Sequence, residues 1–112
     1  GLTGDIHSNW VNDLRVDDRR SETPVIATEF VGTSISSGGN GAEKPKGLEQ
    51  LLAENPCLHY HSTERGYVRC TLTPEIWQSD YVMVDDVTRP GGRSHVRASF
   101  VVEAGRPGAQ RA

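Results

Sequence analysis

The sequence is poor in most of the features that announce a function. No apolar run approaches the roughly 18 residues of a membrane-spanning helix, so no span is expected. Lysine is scarce: ten of the 12 basic residues are arginines, scattered along the chain. Against 15 acidic residues they leave a net charge of −3, and no basic stripe points to nucleic acid as a partner. Val, Leu, Ile and Phe number 24 of 112 residues, near the level at which a self-sufficient core becomes doubtful. At this length one ordinary domain is the ceiling. The thin core favours a piece that packs against further sequence, or a homo-oligomer, since uncovered apolar faces seek partners. Neither a signal peptide nor an initiator methionine opens the chain, so its start reads as an engineered, processed or cleaved end.

What the chain does have begins almost at once. Gly4-Asp5-Ile6-His7-Ser8-Asn9-Trp10 places a carboxylate and an imidazole two residues apart, after the strand remnant Gly1-Leu2-Thr3. In an extended segment such residues share a face. Asp5 and His7 are then expected to converge while Ile6 points to the core, with Gly4 removing bulk at the turn. A hard oxygen and an imidazole nitrogen are half of a metal site. The competing reading is a solvated turn in which Asp5 caps the next segment.

Longer words follow the motif: Asn12-Asp13-Leu14, then Thr28-Glu29-Phe30-Val31-Gly32-Thr33-Ser34-Ile35-Ser36-Ser37-Gly38. Later come Arg65-Gly66-Tyr67-Val68 and Thr73-Pro74-Glu75-Ile76-Trp77. This succession resembles the C-terminal part of the alkaline phosphatase D (PhoD-type) family of metallophosphoesterases, to about Pro107. The resemblance implies a phosphomonoesterase or phosphodiesterase with iron and calcium at its site, acting on phosphate esters and secreted or held at the cell surface in many members. It gives Asp5 and His7 the role of metal ligands. The other ligands and the phosphate-gripping residues are expected in motifs upstream, so that the upstream part of the same enzyme is the expected partner and this chain alone is expected to be inactive.

The expected fold is mostly β (α+β): antiparallel strands from one side of a metallophosphoesterase-type β-sandwich, with one short helix. Residues 1–105 are assigned to the catalytic-domain segment and 106–112 to a frayed tail. Residues 11–22 read as polar, with a solvated loop at Asp17-Asp18-Arg19-Arg20. Val25–Val31 reads as a buried strand opened by Pro24. Glu29 within it needs a partner, as an ion-paired strand residue or as a group supporting the metal ligands. Ser34–Gly47 lacks the Gly-Lys-Ser/Thr ending of a P-loop and reads as a mobile loop, which the family resemblance leaves open to border the active-site cleft. Leu48, Leu51 and Leu52 fall at i, i+3 and i+4 of a helix over 47–55, ended by Asn55-Pro56. Strands follow near 58–62, 66–73, 78–88 and 95–103, the last three as an antiparallel meander with turns at Thr73-Pro74-Glu75 and Arg89-Pro90-Gly91-Gly92.

Two further features compete for chemistry. Cys57, His59 and His61 at i, i+2 and i+4 share a strand face, a candidate thiolate and two-imidazole site. A hairpin around Thr63-Glu64-Arg65 sets Cys57 and Cys70 on opposite faces, so free thiols are expected. His95, beside a turn, reads as solvated. The rival to the phosphatase reading is a small β-rich binding or interaction module without catalysis, which should fold alone with covered edges.

Overall fold

The computed structural model describes all residues, 1–112. Eight strands and one helix follow in the order β1 (Leu2–Thr3), β2 (Asn9–Arg15), β3 (Val25–Val31), α1 (Leu48–Glu54), β4 (Leu58–Ser62), β5 (Gly66–Leu72), β6 (Ile76–Val84), β7 (Ser94–Glu103) and β8 (Arg106–Arg111). They form two four-stranded sheets, β1-β3-β2-β4 and β5-β6-β7-β8. Every neighbouring pair is antiparallel except β1 with β3. The mostly β class and the β5-β6-β7 meander are as the period-2 patterns predict, and α1 is the short helix expected from the spacing of Leu48, Leu51 and Leu52.

The two sheets face each other within this chain. Val11, Phe30 and Tyr60 of the first sheet meet Tyr81, Met83, Ala98, Phe100 and Ala109 of the second in one buried cluster. Tyr60, Tyr81 and Phe100 pack as an aromatic triangle, with ring centroids 5.0, 5.8 and 6.3 Å apart and mostly edge-on. Edge-on aromatic pairs add to the area they bury. With only 21 of 112 residues buried, this triangle carries a large share of the core.

Three expectations are corrected. The segment at 11–15 is not a polar loop: β2 lies between β3 and β4, and Asn9, Val11 and Asp13 all point inward. The inward polar groups are satisfied. Asp13 accepts from the Ala109 amide at 3.2 Å and pairs with His59 Nε2 at 2.6 Å. Second, residues 58–62 and 66–72 do not form a hairpin. β4 pairs with β2 and β5 with β6, so Thr63-Glu64-Arg65 crosses from one sheet to the other. Gly66 decides the crossing: a Cβ there would stand 1.9 Å from the Val82 carbonyl oxygen, so only glycine lets β5 meet β6 at this point. Cys57 and Cys70 are free, separated by sheet rather than by hairpin face. Third, 106–111 is not frayed. Strand β8 pairs with β7, and Ala109 enters the core.

Helix α1 is short and unburied, with Gly47 in the left-handed region at its N-cap. Thr73 closes the β5–β6 turn, its hydroxyl accepting from the amides of Glu75 and Ile76 at 3.3 and 3.1 Å. The Ser34–Gly47 segment is a loop, but a tethered one. Ala42 and Thr63 exchange backbone and side-chain bonds of 2.9 Å. Asn40 accepts from the Val87 amide at 2.7 Å and donates to Asp86 at 3.2 Å.

Candidate metal-binding turn

β1 ends at Thr3 and β2 begins at Asn9, so the Gly-Asp-x-His word occupies a turn rather than a strand. The extended geometry expected of Asp5 and His7 is therefore absent. Both residues lie in the left-handed region, with φ of 74° and 58°, and no other non-glycine residue has positive φ. That region costs an L-residue roughly 1–2 kcal/mol, with Asp, Asn and His the side chains most often found there. Strain of this kind collects at ligand-holding segments. Both side chains are exposed, and neither is hydrogen-bonded or ion-paired within the chain, so all their donor atoms are free.

The turn is flexed but its foundation is rigid. Immediately after His7, Ser8 and Asn9 are buried. The Asn9 amide donates to Ser62 Oγ at 3.0 Å and to the Glu64 carbonyl at 3.1 Å, and its oxygen accepts from the Thr33 amide at 3.2 Å. One side chain thus ties the start of β2 to the ends of β3 and β4. Trp10 donates to Ser8 Oγ at 2.7 Å and stacks on His61, ring centroids 3.6 Å apart. His61 Nδ1 bonds the Asn9 carbonyl at 3.0 Å. Burial holds the His61 imidazole below its ordinary pKa, with the Asn9 carbonyl opposing. From the other side the guanidinium of Arg65 reaches the His7 carbonyl and, at 2.9 Å, the Thr33 hydroxyl. Neither Asn9 nor Arg65 stands out in the sequence, because a buried, satisfied polar residue reads like a solvated one.

Glu29 finds neither an arginine nor a backbone donor. Its two oxygens accept from Thr3 Oγ1 at 3.2 Å and from Asn12 Nδ2 at 3.1 Å, and no ion pair forms. It fastens β1, the strand leading into the turn, to β3 and β2.

The Cys57, His59 and His61 cluster does not assemble. Cys57 precedes β4. His59 is engaged with Asp13, and His61 is stacked on Trp10 and bonded to Asn9. The two histidines line a cavity of about 160 Å³ beside α1, together with Arg97 and Arg111, and Cys57 is not part of it. His95 is not simply solvated, since its Nδ1 pairs with Asp85 at 2.8 Å. Nowhere does the chain gather three or more His, Cys, Asp or Glu side chains in a geometry that holds a metal ion. Asp5 and His7 therefore fit a metal as part of a ligand set, by donor chemistry and free lone pairs, without completing one.

The matches to known proteins cover this turn and its supports. Residues 1–81 fit the family model described as PhoD-like phosphatase. The chain belongs to the PhoD-like phosphatase family. It is 47% identical over 107 residues to alkaline phosphatase D of Bacillus subtilis (strain 168), a match spanning 96% of this chain and 18% of that protein. A solved structure titled "Structure of PhoD" superimposes with a TM-score of 0.92 at 45% identity, over 99% of this chain and 21% of its own. The chain thus spans about a fifth of the relatives it matches. The family model ends at Tyr81 within β6, whereas the structural match carries through β7 and β8. No helix is long and apolar enough to cross a membrane.

Proposed function

We propose that this chain is the C-terminal segment of a phosphate-ester hydrolase, acting on mono- or diesters, and that Asp5 and His7 supply two of its metal ligands. The observation that carries the reading is the turn itself. Two strained, exposed residues with unengaged donor atoms stand on a fully bonded base in a chain of the PhoD-like phosphatase family. Iron and calcium, the ions the resemblance implies, suit an imidazole and a carboxylate respectively. When bound, such ions would polarise phosphoryl oxygens and lower the pKa of a bound water.

The chain's own residues would do the rest of the local work. Asp5 and His7 hold and orient. Asn9, Trp10 and His61 keep the base of the turn from moving, and Glu29 fixes the strand that enters it. A catalytic metal site needs three or more protein ligands with a position left open. Two are present here, so the remainder would come from the upstream part of the enzyme, and the isolated chain should hydrolyse little or nothing. Exposed Leu2, Ile26 and Leu72 support association with that upstream part or with a second copy. A secreted or cell-surface setting belongs to the same reading.

The test is Asp5→Ala and His7→Ala in the full-length protein, assayed on a chromogenic phosphate ester beside elemental analysis. Metal content and turnover should fall together in both. Near-normal turnover in both refutes the assignment. Strong metal-dependent hydrolysis by the 112 residues alone refutes the segment reading.

A further inference from the structure

Arg65 is 6% exposed, and no carboxylate pairs with it. Every partner of its guanidinium is a neutral oxygen. Nη1 donates to the His7 carbonyl and to Thr33 Oγ1 at 2.9 Å, Nε to the Gly39 carbonyl at 3.0 Å, and Nη2 more loosely to the Gly38 carbonyl at 3.5 Å. A buried cation without a counter-charge is costly unless its hydrogens are well placed. Here the rigid, planar fork of arginine meets acceptors from three separate segments: the Asp5–His7 turn, Thr33 just beyond β3, and the glycine loop. The loop is shaped for the contact. Gly38 and Gly39 both have left-handed φ, at 78° and 77°, and a Cβ at Gly38 would lie 2.9 Å from Nη2.

The bond to His7 has a particular effect. The carbonyl that the guanidinium reaches belongs to a residue held in the left-handed region. Relaxing to a common backbone conformation would swing that carbonyl away from the guanidinium. Arg65 therefore stabilises the strained form over the relaxed one, and in that strained form Asp5 and His7 are exposed beside the Asn9 base.

We infer that Arg65 is a positioning residue for the metal-binding turn, holding it in its left-handed form and coupling it to the glycine loop at 38–39. The inference rests on the reading of Asp5 and His7 as metal ligands. Groups that orient metal ligands from behind typically change metal affinity by about 10–100-fold when removed.

The experiment uses Arg65→Lys and Arg65→Met in the full-length protein as purified. It reads amide exchange at residues 7–10 against that of β6, and the rate at which iron and calcium are lost to EDTA. In Arg65→Met, exchange in the turn and metal loss should both accelerate by about tenfold while β6 keeps its protection. Arg65→Lys should fall between, because a single ammonium cannot span acceptors on three segments. Should Arg65→Met fail to fold, Arg65→Lys and Thr33→Val carry the test, with smaller changes expected in the same direction. Turn exchange at the wild-type rate in these variants, or a loss of protection spread evenly over the whole protein, overturns the positioning role. Wild-type metal retention in Asp5→Ala and His7→Ala, measured in parallel, overturns instead the metal reading beneath it.

Discussion

The Tyr81 hydroxyl donates to the Trp10 carbonyl at 2.7 Å, joining the two sheets three residues beyond His7. Tyr81 is fully buried and its ring packs against Tyr60 and Phe100. Burial drives its phenol far above the ordinary range, so it remains a donor at any working pH. The aromatic centre of the core and the base of the turn are thus one mechanical unit.

Tyr81→Phe keeps the packing and removes the bond. It should cost about 1–2 kcal/mol, because a buried carbonyl loses a partner. Tyr81→Ala should cost about 3–5 kcal/mol through the cavity it leaves. Urea denaturation at neutral pH measures both, and equal losses in the two variants would contradict the division between bond and packing.

Asp80 is 4% exposed and accepts from Ser99 Oγ at 2.6 Å, Gln78 Nε2 at 2.9 Å and Arg69 Nη2 at 3.1 Å. The Ser99 hydroxyl is the main reason its carboxyl lies below the ordinary value, with burial opposing and Gln78 and Arg69 adding. Arg69 is half exposed, so the hydroxyl and amide bonds count for more than the ion pair. A carboxylate with a depressed pKa stabilises the fold above its unfolded pKa, near 4, and loses that contribution as pH falls through the lower folded value. Asp80→Asn should cost about 1–3 kcal/mol at pH 7 and flatten the fall in stability below about pH 4. A wild-type acid limb in the variant would show that other carboxylates set it.

Gly39 and Gly41 separate backbone strain from steric exclusion. Both have left-handed φ, at 77° and 67°, but a Cβ on Gly39 meets nothing within 4 Å, whereas one on Gly41 would stand 1.7 Å from the Thr63 carbonyl oxygen. Gly39→Ala should cost about 1–2 kcal/mol, the price of the left-handed region alone. Gly41→Ala cannot be accommodated without parting the loop from Thr63, and should cost clearly more, about 3 kcal/mol or above. Thermal melts of the two variants give the comparison, and equal shifts would mean that the loop is not tied at Ala42.

Which parts of this arrangement were legible in the sequence follows from where its polar residues sit. Val68, Ala98, Phe100 and Val102 fall at period-2 positions of their strands, mostly beside polar residues, and the meander they predict is present. β2 was hidden because Asn9 and Asp13, two of its inward positions, are polar and read as solvated until Ser62, Thr33, His59 and Ala109 appear as partners. β8 was hidden because Pro107 and Gly108 look like a tail, although Ala109 is the residue that packs. The Asp5 and His7 pair was legible as donor chemistry but not as geometry, since two left-handed residues are a consequence of what Arg65 and Asn9 hold around them. Arg65 bonds residues 58 positions away, and no local pattern encodes that.

His61 provides the last prediction, a pH dependence of the same sign as that of Asp80 but with the neutral form, not the charged one, favoured by the fold. The residue is 9% exposed, its ring stacked on Trp10 and bonded through Nδ1 to the Asn9 carbonyl. Desolvation holds its pKa below the ordinary value, because the charged form is disfavoured there. In the unfolded chain a histidine takes up a proton near pH 6.5. The folded form resists, so the unfolded state binds more protons below that point. The neutral imidazole's contribution is therefore complete above about pH 6.5 and is lost as pH falls toward the lower folded value. His61→Phe keeps the stack on Trp10 and removes the titration, at a cost of about 1 kcal/mol for the Asn9 bond. Urea midpoints measured from pH 7.5 to 5 should decline in the wild type and stay flatter in the variant. Since Asn9 is the residue that ties β2 to β3 and β4, protonation of His61 should also speed amide exchange at Asn9 and Trp10 before it does so in β6. Matching slopes in wild type and variant would assign the transition to another group.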